Sequence, residues 1–221
     1  YFARLDSKID NISVYEARIR GGATLAKTYP VDADLVCGVP DSGLASAKGY
    51  SEESGIPFGL AFHKNSYVGR TFIKPTQKER ESSVKIKLSV LESVVKGKRI
   101  VLVDDSIVRG NTIGRVVQLL RNAGAKEVHI RISSPMFLHP CYYGTDIDSE
   151  DHLIACKHTV SEIAEIIGAD SLGYFPLEKL RELTSHCSFC SACFDGCYPT
   201  AIPDDTRKDR FEKRLSGIKE S

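Results

Sequence analysis

Two adjacent acidic residues, Asp104 and Asp105, stand between an aliphatic run and a stretch of small polar residues. The run, residues 99–103, is rich in β-branched and aliphatic side chains, which is typical of a buried strand in a parallel sheet. The stretch that follows, residues 106–112, leads into a helix pattern with its apolar residues on one face. In α/β proteins, an acidic strand end followed by such a loop and a helix N-terminus is where a phosphorylated ligand binds.

The 106–112 segment offers the groups that a phosphate needs. Ser106, Gly110 and Thr112 are small enough to let backbone N–H groups converge on the anion, while the helix dipole and Arg109 add positive charge. The two acids repel a phosphate, so their expected partners are sugar hydroxyls or a hard cation such as Mg²⁺. The pattern predicts a ligand with a ribose between a phosphate and a metal-bound group. A solvated helix cap is the alternative, and the loop after the acids disfavours it.

A second strand–turn–helix unit precedes this one. Residues 35–39 predict a buried strand, and residues 40–43 (Pro-Asp-Ser-Gly) predict a sharp turn that exposes backbone N–H groups. Residues 127–133 predict a further strand. We therefore expect an α/β fold with a parallel, doubly wound sheet and a ligand at the carboxyl ends of its strands. An ordinary turn without a ligand is the alternative for residues 40–43.

Residues 63–87 form a polar, basic connection that is too long for an ordinary loop in a compact domain. We expect it to be an active-site lid that closes over the ligand and excludes water. A solvated charged loop is the alternative.

The start of the chain carries fewer signals. Residues 1–4 lack an initiator Met and have the pattern of the middle of a strand, so we expect a part of the protein to precede them. Asn11 or Ser13 is expected to cap a helix from near Val14, although two consecutive glycines leave its length open.

Length and composition limit the classes of function. The 221 residues suit one medium domain with an extension or two small domains, and 42% hydrophobic residues are enough for a core. Lys and Arg number 30 against 29 Asp and Glu, so the net charge of +1 predicts neither a nucleic-acid partner nor a membrane surface. No apolar run approaches the roughly 20 residues that span a bilayer.

Four of the seven cysteines crowd together at the spacing Cys187-x-x-Cys190-x-x-Cys193-x-x-x-Cys197. This spacing is close to that of bacterial ferredoxins, which predicts that all four, or three of them, bind an iron–sulfur cluster. A zinc site is the chemical alternative, since thiolates suit both metals. Free thiols on a surface turn are the third possibility.

Residues 101–112 resemble the phosphoribosyl pyrophosphate (PRPP) fingerprint of the type I phosphoribosyltransferases. The sequence from Asp104 to Thr112, together with the Tyr-Val-Gly-Arg sequence inside residues 64–72, is similar to that of the amidophosphoribosyltransferase family. Members of this family transfer ammonia, released from glutamine, to PRPP and form 5-phosphoribosylamine and pyrophosphate in the first step of purine biosynthesis. The resemblance implies a cytoplasmic glycosyltransferase that is a homo-oligomer and binds neither nucleic acid nor membranes.

The resemblance also implies residue roles. Asp104 and Asp105, with Tyr67 and Arg70 of the lid, are the expected catalytic residues, and Ser42, Asp104 and Asp105 are the expected Mg²⁺ site. The residues expected to bind PRPP are Asp41, Ser42, Gly43, Lys64, Asp104, Asp105, Ser106, Ile107, Val108, Arg109, Gly110, Asn111 and Thr112.

For the cysteines, the resemblance implies a different ligand set from the spacing alone. Cys141, Cys190 and Cys193 correspond to three ligands of a structural or regulatory [4Fe–4S] cluster, and the fourth ligand is expected upstream of residue 1. Cys187 has a counterpart in the family that is not a ligand.

The implied organisation is a phosphoribosyltransferase core at residues 1–135 and a cysteine-bearing, partly helical extension at residues 136–221. Residues 158–172 predict a helix in this extension, capped by Thr159 or Ser161. The family's glutaminase domain, which supplies ammonia, is absent from these residues. Two other classes of function stay open: a non-catalytic regulator that binds PRPP or a nucleotide, and an iron–sulfur electron carrier.

Overall fold

The computed structural model describes residues 3–65, 88–145, 147, 149–183 and 189–202. The strands within these ranges are β1 (Lys8–Ile9), β2 (Ile12–Ser13), β3 (Leu35–Gly38), β4 (Phe62–Lys64), β5 (Leu88–Val90), β6 (Arg99–Asp104), β7 (Glu127–Ile132) and β8 (Ser171–Tyr174). The α-helices are α1 (Val14–Thr28), α2 (Leu44–Ser54), α3 (Glu92–Val95), α4 (Asn111–Asn122), α5 (Val160–Ile167), α6 (Leu180–Leu183) and α7 (Ala192–Asp195).

The central sheet has four parallel strands in the order β3, β6, β7, β8. Gly38 pairs with Val103, and Asp104 pairs with Ile132, which in turn pairs with Tyr174. The carboxyl ends of all four strands therefore lie along one edge of the sheet. The predicted parallel α/β fold is confirmed, and this edge is where ligands bind in such folds.

Helices cover both faces of the sheet, as the doubly wound prediction requires. Val36, Val101 and Val103 pack with α1 and α2 on one face. Ile100 and Leu102 alternate with them along the strand and pack with α4 and α5 on the other face. Both faces are buried, which explains why the β6 sequence is a continuous aliphatic run.

Helix α1 begins where the sequence predicts, with the Ser13 hydroxyl accepting a 3.4 Å hydrogen bond from the Glu16 backbone N–H. It continues through both glycines to Thr28, because α1 and α2 are in backbone contact there. A Cβ atom on Gly22 would lie 1.8 Å from the Ser46 carbonyl oxygen, and one on Gly49 would lie 2.0 Å from that of Ile19. These glycines therefore serve close helix packing and do not end the helix.

The prediction of one helix over residues 158–172 is wrong at its end. Helix α5 stops at Gly168, which has a φ of 75° and ends the helix in the left-handed conformation. Ser171 and Leu172 then start strand β8, which pairs with β7. Residues of the predicted 136–221 extension thus form the fourth strand of the central sheet. The division of the chain into a core and an extension near residue 135 stays a prediction.

The N-terminus of α5 is closed by a capping box between Thr159 and Glu162. We expect Thr159→Ala to lower the free energy of unfolding by about 1 kcal/mol, because it leaves the Glu162 backbone N–H without its partner. Urea denaturation measures this change. Ser161→Ala is the matched control, since Ser161 is the other candidate cap and is exposed. Equal destabilisation by both substitutions would contradict the assignment of the cap.

Residues 58–62, whose apolar residues predict a short strand, form one only in part. Phe58 forms an isolated parallel bridge with Val36, and the regular strand β4 begins at Phe62 and pairs antiparallel with β5. Of the predicted lid, residues 66–87, with Tyr67 and Arg70, lie outside the described ranges, whereas His63 and Lys64 belong to β4. Within those ranges, no helix is both long and apolar enough to cross a membrane.

Candidate functional site

The carboxyl edge of the sheet brings the 40–43 turn and the acid pair Asp104–Asp105 together. The Ser42 hydroxyl donates a 3.3 Å hydrogen bond to the Asp104 carboxylate. Because β3 and β6 are neighbours in the sheet, residues far apart in sequence meet here. This contact joins two of the three segments that the sequence predicts to bind one ligand.

The 40–43 turn lies directly against the end of β6. Val39 donates a backbone hydrogen bond to the Val103 carbonyl, and Gly43 donates one to Val39, each at 2.9 Å. A Cβ atom on Gly43 would lie 2.2 Å from the Val103 carbonyl oxygen, so only glycine fits at this position. The Pro40–Asp41 peptide is cis, and the exposed Asp41 carboxylate forms an ion pair with Lys64.

Asp104 is an unusually placed acid, since it is only 7% exposed. Burial, and next the neighbouring Asp105, raise the pKa of Asp104 from 3.8 to about 7, although hydrogen bonds from the Asp105 backbone N–H and the Ser42 hydroxyl oppose the shift. Asp105 is half-buried and accepts a 2.8 Å hydrogen bond from the Ser106 hydroxyl. The acid pair therefore concentrates negative charge at a site where a cation or sugar hydroxyls would stabilise it.

The 106–112 segment connects the acid pair to α4. Gly110, with a φ of 81°, is the residue before the helix, and Asn111 and Thr112 are exposed in its first turn. Arg109 is exposed as well, whereas Ile107 is 2% exposed and belongs to the hydrophobic core. The Ile107 side chain thus anchors the segment in the hydrophobic core. At this position, only the backbone can face a ligand.

Two residues that sequence analysis missed hold these segments in place. Arg18 of α1 donates to the Ser42 carbonyl oxygen at 3.3 Å. The Ile154 backbone N–H donates to the Val108 carbonyl oxygen at 3.0 Å, and Ile154 also fills the space beside Gly110. The neighbouring sequence predicts neither role. A charged residue on a helix is usually expected to be solvated, and a single isoleucine outside a strand belongs to no recognisable motif.

The raised pKa of Asp104 makes the stability of the ligand-free fold depend on pH. The folded chain binds this proton more tightly than the unfolded chain, so its stabilising effect is complete below pH 3.8 and is lost as the pH rises through about 7. We expect Asp104→Asn, whose Oδ1 still accepts both hydrogen bonds, to raise the melting temperature more at about pH 8 than at about pH 5.5.

Thermal melts in EDTA test this expectation. Glu165→Gln, which neutralises an exposed acid of α5, is the control and should give the same difference at both pH values. If Asp104→Asn raised the melting temperature by the same amount at both pH values, this result would contradict a raised pKa of Asp104.

The cysteines of the predicted ligand set line a single cavity of about 490 Å³, which we name the thiol cavity. Its lining includes Cys141, Cys190 and Cys193, with Ala3 from the first described residues. Cys197 is exposed, its Sγ lies 3.9 Å from the Asp195 carbonyl oxygen, and Cys187 lies outside the described ranges.

Electrostatics distinguish the thiols of this cavity. Burial, and next the neighbouring Cys141 thiol, raise the pKa of Cys193 to about 11, with a smaller contribution from Cys190. At Cys141 burial acts in the same direction, but backbone hydrogen bonds from Tyr143, Thr145 and Gly144 outweigh it and lower the pKa. Hydrogen bonds of this kind stabilise a thiolate, the form that binds metals.

Within the described ranges, no three His, Cys, Asp or Glu side chains lie close enough together to hold one metal ion.

Comparison with known proteins places this geometry in a family. The model of the phosphoribosyl transferase domain matches residues 10–144, which include the 40–43 turn, the acid pair and the 106–112 segment. The chain belongs to the phosphoribosyltransferase family. Its predicted resemblance to the amidophosphoribosyltransferases is confirmed by similar proteins from Synechocystis sp. (54% identity over 96% of this chain) and Methanocaldococcus jannaschii (55% over 97%).

A solved phosphoribosyltransferase structure agrees with the sequence relatives. The glutamine PRPP amidotransferase from Bacillus subtilis, complexed with ADP and GMP, is 51% identical over 93% of this chain, with a TM-score of 0.84. This chain covers 43% and 44% of the two relatives above and 47% of that solved chain. It therefore spans less than half the length of each of these three proteins.

Proposed function

We propose that this chain is the phosphoribosyl-transferring part of an amidophosphoribosyltransferase. Ammonia attacks C1 of PRPP, the bond from C1 to the pyrophosphate oxygen breaks, and 5-phosphoribosylamine, pyrophosphate and a proton result. The observation that carries the proposal is the contact between Ser42 and Asp104, since it joins the turn and the acid pair at the carboxyl edge of the sheet. The similarity of this chain to proteins named amidophosphoribosyltransferase also supports the proposal.

Each segment has a distinct task in this reaction. The 106–112 segment binds the 5′-phosphate with backbone N–H groups at the N-terminus of α4. The 40–43 turn, with Lys64, holds the pyrophosphate end, and the acid pair accepts hydrogen bonds from the ribose hydroxyls. Positive charge develops on the ribose as the C1–O bond breaks, and the acid pair stabilises that charge. Tyr67 and Arg70 of the lid remain the other proposed catalytic residues.

The donor set at the acid pair fits Mg²⁺. Ser42, Asp104 and Asp105 offer only oxygen atoms, and the buried charge of Asp104 favours a hard cation. When bound, Mg²⁺ neutralises charge on the pyrophosphate leaving group.

The thiol cavity fits a [4Fe–4S] cluster held by Cys141, Cys190 and Cys193. Three thiols line one cavity, and a thiolate at Cys141 is stabilised by backbone hydrogen bonds. Ala3 lines the same cavity, so a fourth thiolate just upstream of residue 1 would be close to the other three. In this proposal the cluster is structural or regulatory and takes no part in the transfer reaction, unlike that of an electron carrier.

The remaining parts of the proposal follow from the resemblance to the amidophosphoribosyltransferase family. A glutaminase domain provides ammonia, the core at residues 1–135 carries the transfer site, and residues 136–221 carry the cluster. The protein acts as a cytoplasmic homo-oligomer without a nucleic-acid or membrane partner.

The decisive experiment measures pyrophosphate release from PRPP by this chain with Mg²⁺ and ammonium chloride. We expect release that depends on both PRPP and ammonium. A non-catalytic regulator would bind PRPP without releasing pyrophosphate, so a folded chain that binds but does not turn over would overturn the enzymatic proposal in favour of that alternative.

A further inference from the structure

Arg18 connects two distant parts of the chain through one guanidinium group. Its Nη1 donates to the Ser42 carbonyl oxygen at 3.3 Å, and its Nη2 donates to the Ala3 carbonyl oxygen at 2.8 Å. The side chain is half-buried and lines the thiol cavity. A planar guanidinium can donate in two fixed directions at once, which a lysine ammonium does not reproduce.

The contact with Ser42 fixes a particular peptide unit. The carbonyl of the Ser42–Gly43 peptide accepts from Arg18, and its N–H, which belongs to Gly43, donates to the Val39 carbonyl at 2.9 Å. Both ends of this peptide are therefore held, and rotation of the peptide plane would break both hydrogen bonds. The Ser42 side chain, on the same residue, donates a 3.3 Å hydrogen bond to Asp104, so Ser42 contacts both Arg18 and the acid pair.

We infer that Arg18 is a positioning residue, which orients the 40–43 turn for PRPP through the Ser42–Gly43 peptide. Arg18 acts through Ser42 and not by contact with the substrate. Its second hydrogen bond links the turn to the N-terminal segment at Ala3, so the position of that segment affects the turn. The part of this inference that concerns PRPP rests on the proposed function.

Hydrogen exchange of the ligand-free chain tests the positioning role without any substrate. We expect Arg18→Ala to speed the exchange of the Gly43 amide about tenfold, because the Ser42 carbonyl loses a hydrogen bond from a charged group. Arg18→Lys should have a smaller effect. Arg20→Ala is the matched control, because Arg20 lies on the same helix and donates instead to the Leu183 carbonyl at 2.8 Å. A Gly43 amide that exchanges equally slowly in the wild type and in folded Arg18→Ala or Arg18→Lys overturns the inference.

Calorimetric titration with Mg²⁺ and PRPP then tests the consequence for binding. We expect Arg18→Ala to weaken PRPP binding about tenfold, because the turn loses the charged hydrogen bond that holds the Ser42–Gly43 peptide. Arg20→Ala should bind PRPP like the wild type. Wild-type affinity for PRPP in folded Arg18→Ala would overturn the consequence for binding. A wild-type chain that does not bind PRPP would overturn the proposed function, and the exchange measurement would still decide the role of Arg18.

Discussion

Replacing Asp105 with Ala is expected to lower the ammonia-dependent release of pyrophosphate at least about tenfold, or about 1.4 kcal/mol in activation free energy. Two effects add in this variant. In the proposed reaction, the site loses the charge that would stabilise the positive ribose, and Ser106 loses its 2.8 Å hydrogen-bond acceptor. Steady-state assays of pyrophosphate at saturating PRPP and ammonium measure the change.

Asp105→Asn separates these two effects. Its amide oxygen still accepts from Ser106, so the segment keeps its conformation while the charge is removed. We expect Asp105→Asn to lose most of the activity that Asp105→Ala loses, whereas Glu165→Gln, an exposed acid on α5, should keep wild-type turnover. Unchanged turnover in folded Asp105→Ala would refute the role given to the acid pair.

Gly22→Ala is expected to cause the largest loss of stability, about 2–3 kcal/mol in the free energy of unfolding, because overpacking forces the backbone to move. The added Cβ would lie 1.8 Å from the Ser46 carbonyl oxygen. That atom belongs to the backbone of α2 and cannot turn aside as a flexible side chain does. Helices α1 and α2 must therefore separate, which also disturbs the Arg18–Ser42 contact.

Gly21→Ala is the matched control for this prediction. Its Cβ would meet its nearest atom, Leu183 Cδ1, at 3.9 Å, an ordinary contact. Alanine is a better helix former than glycine by up to about 1 kcal/mol, so this variant should be as stable as the wild type or more stable. Urea denaturation of the two variants measures the contrast, and similar stabilities would show that α1 and α2 are not in close contact at Gly22.

The central unit could be predicted from sequence because its signals are local. Residues 99–103 are aliphatic along their whole length, and Gly110 and the helix pattern after it follow directly. The pairing of strands β3 and β6 then brings Ser42 to Asp104, as the shared carboxyl edge of a parallel sheet requires.

Other features depend on tertiary contacts that a sequence pattern does not carry. Helix α1 continues through Gly22 because α2 approaches it closely, against the intrinsic preference of glycine. Strand β8 is short and contains Gly173, whose missing side chain makes room for the Tyr29 ring, so its sequence has no clear strand pattern. The role of Arg18 has no sequence pattern, since it depends on hydrogen bonds to the backbone carbonyl groups of Ala3 and Ser42.

The hydrogen bond from Ile154 to Val108 has a consequence for the order of events during translation. A ribosome delivers the chain from its N-terminus, so the acid pair and the 106–112 segment emerge before Ile154 and before β8. Until those later residues emerge, β7 has an open edge and the Val108 carbonyl lacks this partner. The nascent chain therefore completes the β7–β8 pairing and the Ile154–Val108 hydrogen bond only after residue 174 has left the exit tunnel.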